Sequence, residues 1–293
     1  MAGHYIPLET RGVLQITGDD AHIFLQGLIT NNIEWVTSKR SIYACLLTPQ
    51  GKYLYDFFIS AVSGGFLLDI HRASRGAMLQ TLKRYKLRSK VELQDVSDSY
   101  RVVAFPEKDA IAALGLQQDA GNASFTGGGV FYVDPRYAPL GVRAILSHDT
   151  NIPDGFLLGE LSGYEALRVK CGVPDGVKDM VSEKDFPMQF GFDALHAIDF
   201  NKGCYVGQEV TARTKHRGGI RKMPVKVTAS QSLPECGSTL TIEDKIIGTL
   251  LSSSGNLGIA QIQKEAWEKY PEHKASCSGI DVELKLPDWL TNV

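Results

Sequence analysis

The chain is poor in cysteine and shows no pattern in it. Cys45, Cys171, Cys204, Cys236 and Cys277 are scattered through 293 residues with no C-x-x-C. That odd, dispersed set excludes a disulfide framework and a zinc ribbon, and it suits a reducing compartment. Long apolar runs are missing too: none approaches the roughly 18 residues of a membrane-crossing helix. There is no excess of positive charge, since 31 Lys and Arg stand against 33 Asp and Glu for a net charge of −2. This argues against a protein built to coat nucleic acid or an anionic membrane. Neither G-x-G-x-x-G nor a Walker pattern occurs, so no nucleotide motif can be claimed, and no repeat of about 20 to 50 residues is visible. Residues 1–11 carry no apolar signal core and no Arg- and Ser-rich amphipathic pattern. The expectation is a cytoplasmic protein.

What is present is an ordinary globular composition, 43% hydrophobic and 22% charged, long enough for more than one domain. One stretch stands out, Lys202-Gly203-Cys204-Tyr205-Val206-Gly207-Gln208-Glu209-Val210-Thr211-Ala212-Arg213-Thr214. Glycine permits positive φ and close approach, so Cys204 is expected on a tight turn. The turn should open onto a short helix over 208–214, with Glu209 and Arg213 as a surface pair in the favourable order. Lys202, Arg213, Lys215, Arg217, Arg221 and Lys222, with His216, face only one acid, Glu209. A thiol near a helix N-terminus and cations has its pKa drawn from about 8.5 toward neutrality, which raises the share of nucleophilic, metal-binding thiolate. The alternative for any free cysteine is a small buried hydrophobe. An iron–sulfur cluster takes about four ligands, so if Cys204 touches one, the others come from a partner chain, another subunit or a small thiol.

Elsewhere the pattern predicts a strand over 12–17, and then a helix over 21–27 with Asp20 as an N-cap acid. Strands over 41–47 and 52–62 flank the turn Thr48-Pro49-Gln50-Gly51, a hairpin. A helix capped by Ser74 runs to Tyr85, and Lys83, Arg84, Lys86, Arg88 and Lys90 crowd its end, where cations suit the macrodipole. Gly127-Gly128-Gly129 reads as a flexible corner. A helix over 161–171 ends at Gly172 and Pro174. After Met223, short alternating runs over 224–229, 238–243, 246–252 and 258–262 predict a small barrel or sandwich, with one or two edge strands over 275–286.

The string from Lys202 to Glu209, followed by Thr211-Ala212-Arg213-Thr214, resembles the signature of the YgfZ family, folate-binding relatives of the glycine cleavage T-protein. Its extension through Arg221 is similar to the branch of mitochondrial iron–sulfur assembly factors. The resemblance covers 12–262. It implies an α+β fold, a T-protein-like multi-domain ring with a central cavity over 1–223, made of two intertwined α+β subdomains. A small C-terminal β-barrel over 224–293 would follow. It implies tetrahydrofolate or a derivative in the cavity, and Cys204 as a functional thiol that meets a cluster or metal transiently. The job implied is that of a folate-binding accessory protein in iron–sulfur cluster assembly or repair, supporting tRNA modification indirectly. Its partners would be folate and iron–sulfur proteins or cluster carriers, with no direct nucleic acid and no membrane.

The same resemblance places Lys202, Tyr205, Gln208, Arg213, Arg168 and Gln189 at the folate cavity. Arg168, in the Ala166-Leu167-Arg168 tract, either reaches folate's carboxylates or pairs with Glu165. Phe190, Phe192 and Phe200 read as cavity wall or as core. The chain also departs from the T-protein. Of a pair of aspartates, one of them catalytic, Leu54-Tyr55-Asp56 keeps only Asp56; the Gly-Tyr-Thr-Gly-Glu motif that holds the pteridine is absent; and Gln189 stands where an acid is usual. These departures count against a second reading, a folate-dependent aminomethyltransferase or demethylase, which needs a positioned carboxylate. A third, RNA binding through the basic run, lacks a module with exposed stacking aromatics.

Overall fold

Two sheets share one core, because their strands alternate side chains between a common interior and two outer layers. In the computed structural model, which describes residues 3–126 and 128–291, β1 (Gly3–Pro7) joins a sheet completed later in the chain. The strands β2 (Arg11–Thr17), β3 (Ile42–Leu47), β4 (Tyr53–Val62), β5 (Gly65–His71) and β6 (Glu92–Asp95) form an antiparallel sheet in the order β3-β4-β5-β2-β6. With β7 (Tyr100–Phe105), β8 (Ala123–Thr126), β9 (Gly129–Val133), β10 (Val142–Ser147) and β11 (Phe156–Leu158), the first strand makes a six-stranded sheet, β11-β1-β7-β10-β9-β8. The glycine corner expected at 127–129 lies partly outside the described residues, and Gly129 itself opens β9.

β3 is buried at every position. Its Tyr43, Cys45 and Leu47 join the core shared with the other sheet, while Ile42, Ala44 and Leu46 face an outer layer. That layer is closed by α1 (Ala21–Gln26) and α2 (Arg75–Lys86) through Phe24, Leu25, Met78 and Leu82. α3 (Asp109–Ala113) covers the far side of the second sheet with Ala110 and Ile111. Two expected caps are corrected. Asp20 sits at φ −97°, ψ 3° and makes no cap bond, because capping needs an extended backbone; its carboxylate accepts from the Lys90 amide at 2.7 Å instead. Ser74, in the helical region, makes none either.

The interior between the sheets is charged. Asp69, with no exposed surface, accepts from Arg11 Nε at 2.6 Å, from Arg143 Nε at 3.2 Å and from the Tyr132 hydroxyl at 3.3 Å. Burial alone would raise its pKa, but the Arg11 and Arg143 guanidiniums outweigh that and hold it below the usual carboxylate value. Arg136 pairs with Asp134 at 2.7 Å, and Arg136 and Arg143 both donate to the Tyr164 hydroxyl.

The body ends with α4 (Leu161–Lys170), α5 (Gly176–Asp179) and α6 (Gln208–Arg217). The strands β12 (Lys222–Ala229), β13 (Thr239–Ile242), β14 (Lys245–Ser254), β15 (Leu257–Gln263), β16 (Lys274–Cys277) and β17 (Ile280–Lys285) then form a closed barrel, β12-β15-β14-β13-β16-β17. β16 and β17, expected at an edge, complete the closure, which removes unpaired edges. α7 (Lys264–Lys269) and α8 (Asp288–Thr291) decorate it. The barrel is locked to the body by Arg168 Nη2 on Ser252 Oγ at 2.9 Å, by Gln261 Nε2 on the Gln189 carbonyl at 3.2 Å, and by Trp289 Nε1 on the Cys171 carbonyl at 3.1 Å.

Candidate functional site

Cys204 lies on a loop stitched from below to the corner that follows α1. Asp199 N–H donates to the Thr30 carbonyl at 3.0 Å and Val206 N–H to the Gly27 carbonyl at 3.3 Å. Between them Lys202 turns inward. Its ammonium spends its donors on the carbonyls of Gln26, Ile29 and Asn31 at 2.8, 2.6 and 2.7 Å, and burial pulls its pKa down to about 7. Two glycines make this path possible: Gly203 at φ +76° and Gly207 at φ +85°. At Gly207 a Cβ would stand 2.6 Å from the Thr48 carbonyl of the β3–β4 turn, so only glycine lets the hairpin tip pack there.

This scaffold leaves Cys204 free and exposed. It lines a trough of about 810 Å³ whose walls are Pro49 from the hairpin tip, Tyr85 from the end of α2, and Val206, Ala212 and Arg213. The cations expected around the thiol are mostly engaged elsewhere. Lys202 is buried, Lys215 pairs with Asp193 at 3.0 Å, and Arg221 lines a separate cavity of about 260 Å³ beside Gln189. Arg213 shares the trough, paired with Glu209 at 2.7 Å as the spacing predicted. Gln208 opens α6 at the trough. Tyr205 is buried beneath the loop, its hydroxyl pushed up to about 12 by burial.

A second cavity, of about 590 Å³, opens on the other side of the same loop. Asn31, Trp35, Arg40, Tyr43, His196 and Phe200 are among its lining residues. The Arg40 guanidinium stacks 4.6 Å over the Trp35 ring. The Asn31 amide donates to the carbonyls of Tyr43 and His196 at 2.8 and 2.7 Å, so it shapes the wall instead of reading a ligand. Burial, then Arg40, holds His196 below its ordinary pKa, which favours a neutral ring.

The residues that the resemblance placed at a folate cavity are not brought together here. Lys202 is committed beneath the loop, Tyr205 is buried against the trough with its hydroxyl unpartnered among the described residues, Gln208 and Arg213 face the trough, and Gln189 borders the smaller cavity. Arg168 takes the second of its two alternatives, the pair with Glu165: 1% exposed, it binds Glu165 at 3.0 Å, Asp179 at 3.2 Å, the Val173 carbonyl and Ser252, which leaves no donor facing a cavity. Of the three wall phenylalanines, Phe200 lines the cavity, while Phe190 and Phe192 are core. Asp56 is shut in by the hydroxyls of Tyr43 at 2.8 Å and Tyr53 at 2.5 Å. Gly176 packs so closely on it that a Cβ would collide with the carboxylate. Asp56 lines none of the cavities described, so it is not positioned as a catalytic carboxylate. Sequence reasoning missed Trp35, Arg40 and His196. An aromatic and a cation five residues apart in an exposed loop carry no periodicity, and only the fold sets one over the other.

Comparison with known proteins gives the following. The GCVT N-terminal domain family matches residues 6–126, and the CAF17 C-terminal beta-barrel domain family matches residues 221–292. The crystal structure of glycine cleavage system aminomethyltransferase T from Bartonella henselae superposes with a TM-score of 0.75, covering 97% of this chain and 84% of that one at 14% identity. The fold is therefore that of the aminomethyltransferases. The human protein named iron–sulfur cluster assembly factor IBA57, mitochondrial, is 33% identical over 98% of this chain and 85% of its own length. The mouse protein of the same name is 30% identical over 96% and 84%. The Neurospora crassa homologue is 34% identical over 73% of this chain, which spans only 51% of that longer protein. These names overturn the cytoplasmic expectation, because each relative is named as mitochondrial. Residues 1–11 show only that a simple targeting pattern is not legible there.

Proposed function

The chain belongs to the IBA57 family of iron–sulfur cluster assembly factors, and on that premise we propose that it is a folate-binding accessory protein that presents Cys204 as one ligand of a cluster in transit. One observation carries this reading. Cys204 is exposed in an open trough, while among the described residues no group of three or more His, Cys, Asp or Glu side chains could hold a metal ion. A cluster takes about four ligands, so the remaining thiolates belong to a second molecule and the cluster is cargo. The mitochondrion, named for its relatives, is the compartment proposed. An effect on tRNA modification would follow indirectly, through modifying enzymes that carry clusters.

For folate, the chemistry of the 590 Å³ cavity fits. Its volume lies in the range of small-molecule sites, about 300 to 1,000 Å³. Trp35 and Phe200 offer ring faces, Asp119 and Asp199 offer acceptors for a pterin's N–H groups, and Arg40 offers a cation for the glutamate tail. Folate, when bound, supplies a one-carbon carrier. Against the aminomethyltransferase alternative stands Asp56, the position that resembles that family's catalytic carboxylate, which is sealed away from this cavity by Tyr43 and Tyr53.

The test compares wild type with Cys204→Ser. Tetrahydrofolate titration, read by Trp35 fluorescence, should be unchanged in Cys204→Ser and weakened in Arg40→Ala. Rescue of cluster-enzyme activity in cells lacking the protein should be lost in Cys204→Ser. Full rescue by that variant would remove the thiol from the function, and aminomethyl transfer by purified protein would restore the enzyme reading.

A further inference from the structure

We propose that the cavity of about 260 Å³ between α6, the turn Pro187–Phe190 and the root of the barrel is a binding site for a small monocarboxylic acid with a short hydrocarbon body. It is separate from both sites described above, because it shares no lining residue with the trough or with the 590 Å³ cavity. Most of its wall is apolar. Pro187 and Met188 come from the turn, where both are buried, Phe186 precedes them, and Val210 enters from α6. Thr211 and Thr214 line it from the same helix. Their hydroxyls already donate to the carbonyls of Gly207 and Val210 at 3.2 and 2.8 Å, so neither has a proton left for a ligand.

Two polar side chains remain, Arg221 and Gln189. The Arg221 backbone is fixed at the foot of β12, where its carbonyl accepts from the Lys264 amide at 2.8 Å. Its guanidinium pairs with no carboxylate among the described residues, although Glu265 and Glu268 line the open depression that Arg221 also borders. Glu268 sits 3.8 Å from Lys264 instead. The Gln189 carbonyl takes the Gln261 amide at 3.2 Å, while its own side-chain amide has no partner among the described residues.

Charge and volume together select the ligand. One guanidinium can give a carboxylate two parallel N–H bonds, and the Gln189 amide can add a third donor. A dicarboxylate or a phosphate would leave charge unmatched against an apolar wall. An amine would meet a cation of its own sign. The Thr214 carbonyl, near the negative end of α6, already accepts from the amides of Gly218 and Gly219, so it turns no free lone pair on an anion. The space falls below the about 300 Å³ at which drug-sized sites begin, which excludes a whole folate. A bound acid would touch the body, α6 and the barrel at once and hold the three together.

The test titrates the full-length protein with hexanoate, hexanol, hexylamine and acetate, using isotope-labelled methionine methyl groups as reporters. Met188 is one of five methionines, and Met188→Leu assigns its signal. Hexanoate should shift that signal and raise the thermal midpoint by mass action. Hexanol should bind about tenfold more weakly, for want of charge-assisted hydrogen bonds, and hexylamine should not bind. From acetate upward, each methylene should tighten binding about fourfold. Arg221→Gln changes an exposed residue, so its ligand-free midpoint should match wild type while its affinity for hexanoate falls to that for hexanol. Thr214→Leu fills the cavity and removes only a bond within α6; it should block both ligands.

Equal affinities for hexanoate and hexanol in the wild type, or undiminished hexanoate binding by Arg221→Gln, would overturn the site. Shifts confined to the other methionines would overturn it as well, by putting the acid elsewhere. Displacement of hexanoate by tetrahydrofolate would make this cavity part of a folate site and end its separate identity. Hexanoate binding that persists in Cys204→Ser and Arg40→Ala keeps it distinct from the proposed function, whose failure would leave this site standing.

Discussion

The charges between the two sheets and the charges around Cys204 behave in opposite ways. Asp69 has no exposed surface and is ringed by Arg11, Arg143 and Tyr132, whereas Arg213 and Glu209 pair in the open at the trough. A buried carboxylate among guanidiniums is costly to disturb because the partner left behind cannot be solvated. An exposed pair is screened and costs little to lose. The interior network thus holds the sheets together, whereas the outer pair adds little to stability. Lys202 stands between the extremes: a buried cation whose partners are backbone carbonyls, placed under the loop that carries the thiol.

The comparison breaks most visibly at Asp69. Asp69→Ala should destabilise the protein by about 3 to 5 kcal/mol, read by urea unfolding, and the purified variant should lose cooperativity before it loses any specific function. The same carboxyl gives a pH signature. Its folded pKa lies below the ordinary aspartate value, so its contribution is complete above that value and is lost as the pH falls through the folded pKa. Acid unfolding of Asp69→Asn should lack that component.

Lys202→Met should cost less, about 1 to 3 kcal/mol, for carbonyls left without donors, with faster hydrogen exchange over 199–207. Here the pH dependence has the other sense. The folded pKa, about 7, lies below the free value of 10.5. Between them the unfolded chain binds more protons, so wild-type stability should rise with pH in that window and Lys202→Met should lack the rise. A rise of equal slope in both proteins would show that burial does not lower the folded pKa of Lys202. Smallest of all, Arg213→Ala should change stability by no more than about 0.5 kcal/mol. A larger loss in that variant would erase the distinction between the two regions.

The hairpin of β3 and β4 was legible because two β-rich runs flank a Pro–Gly turn, and the barrel strands because their short runs alternate between turn residues. β1 and β11 were not. Each is short, and they pair in parallel from distant parts of the body, Gly3 with Phe156, so no local pattern announces them. The Asp20 and Ser74 caps failed because residue type was right and backbone geometry was not. At Arg168 the sequence offered Glu165 one turn away, while Asp179 and Ser252 came into reach only when α5 and the barrel were packed.

The amino-acid sequence alone determined the order of strands and helices, the lone thiol between glycines, and the absence of any second cysteine near enough in sequence to share a metal. Those are local properties, written in period, residue type and spacing. Which cations turn inward and which remain outside was decided only in three dimensions. So were the shutting-in of Asp56 behind two tyrosines and the meeting of Trp35 with Arg40 at a cavity. The physical reason is common to all three: a side chain's charge and reach are set by its own chemistry, but its burial and its partners depend on surfaces that distant segments bring to it.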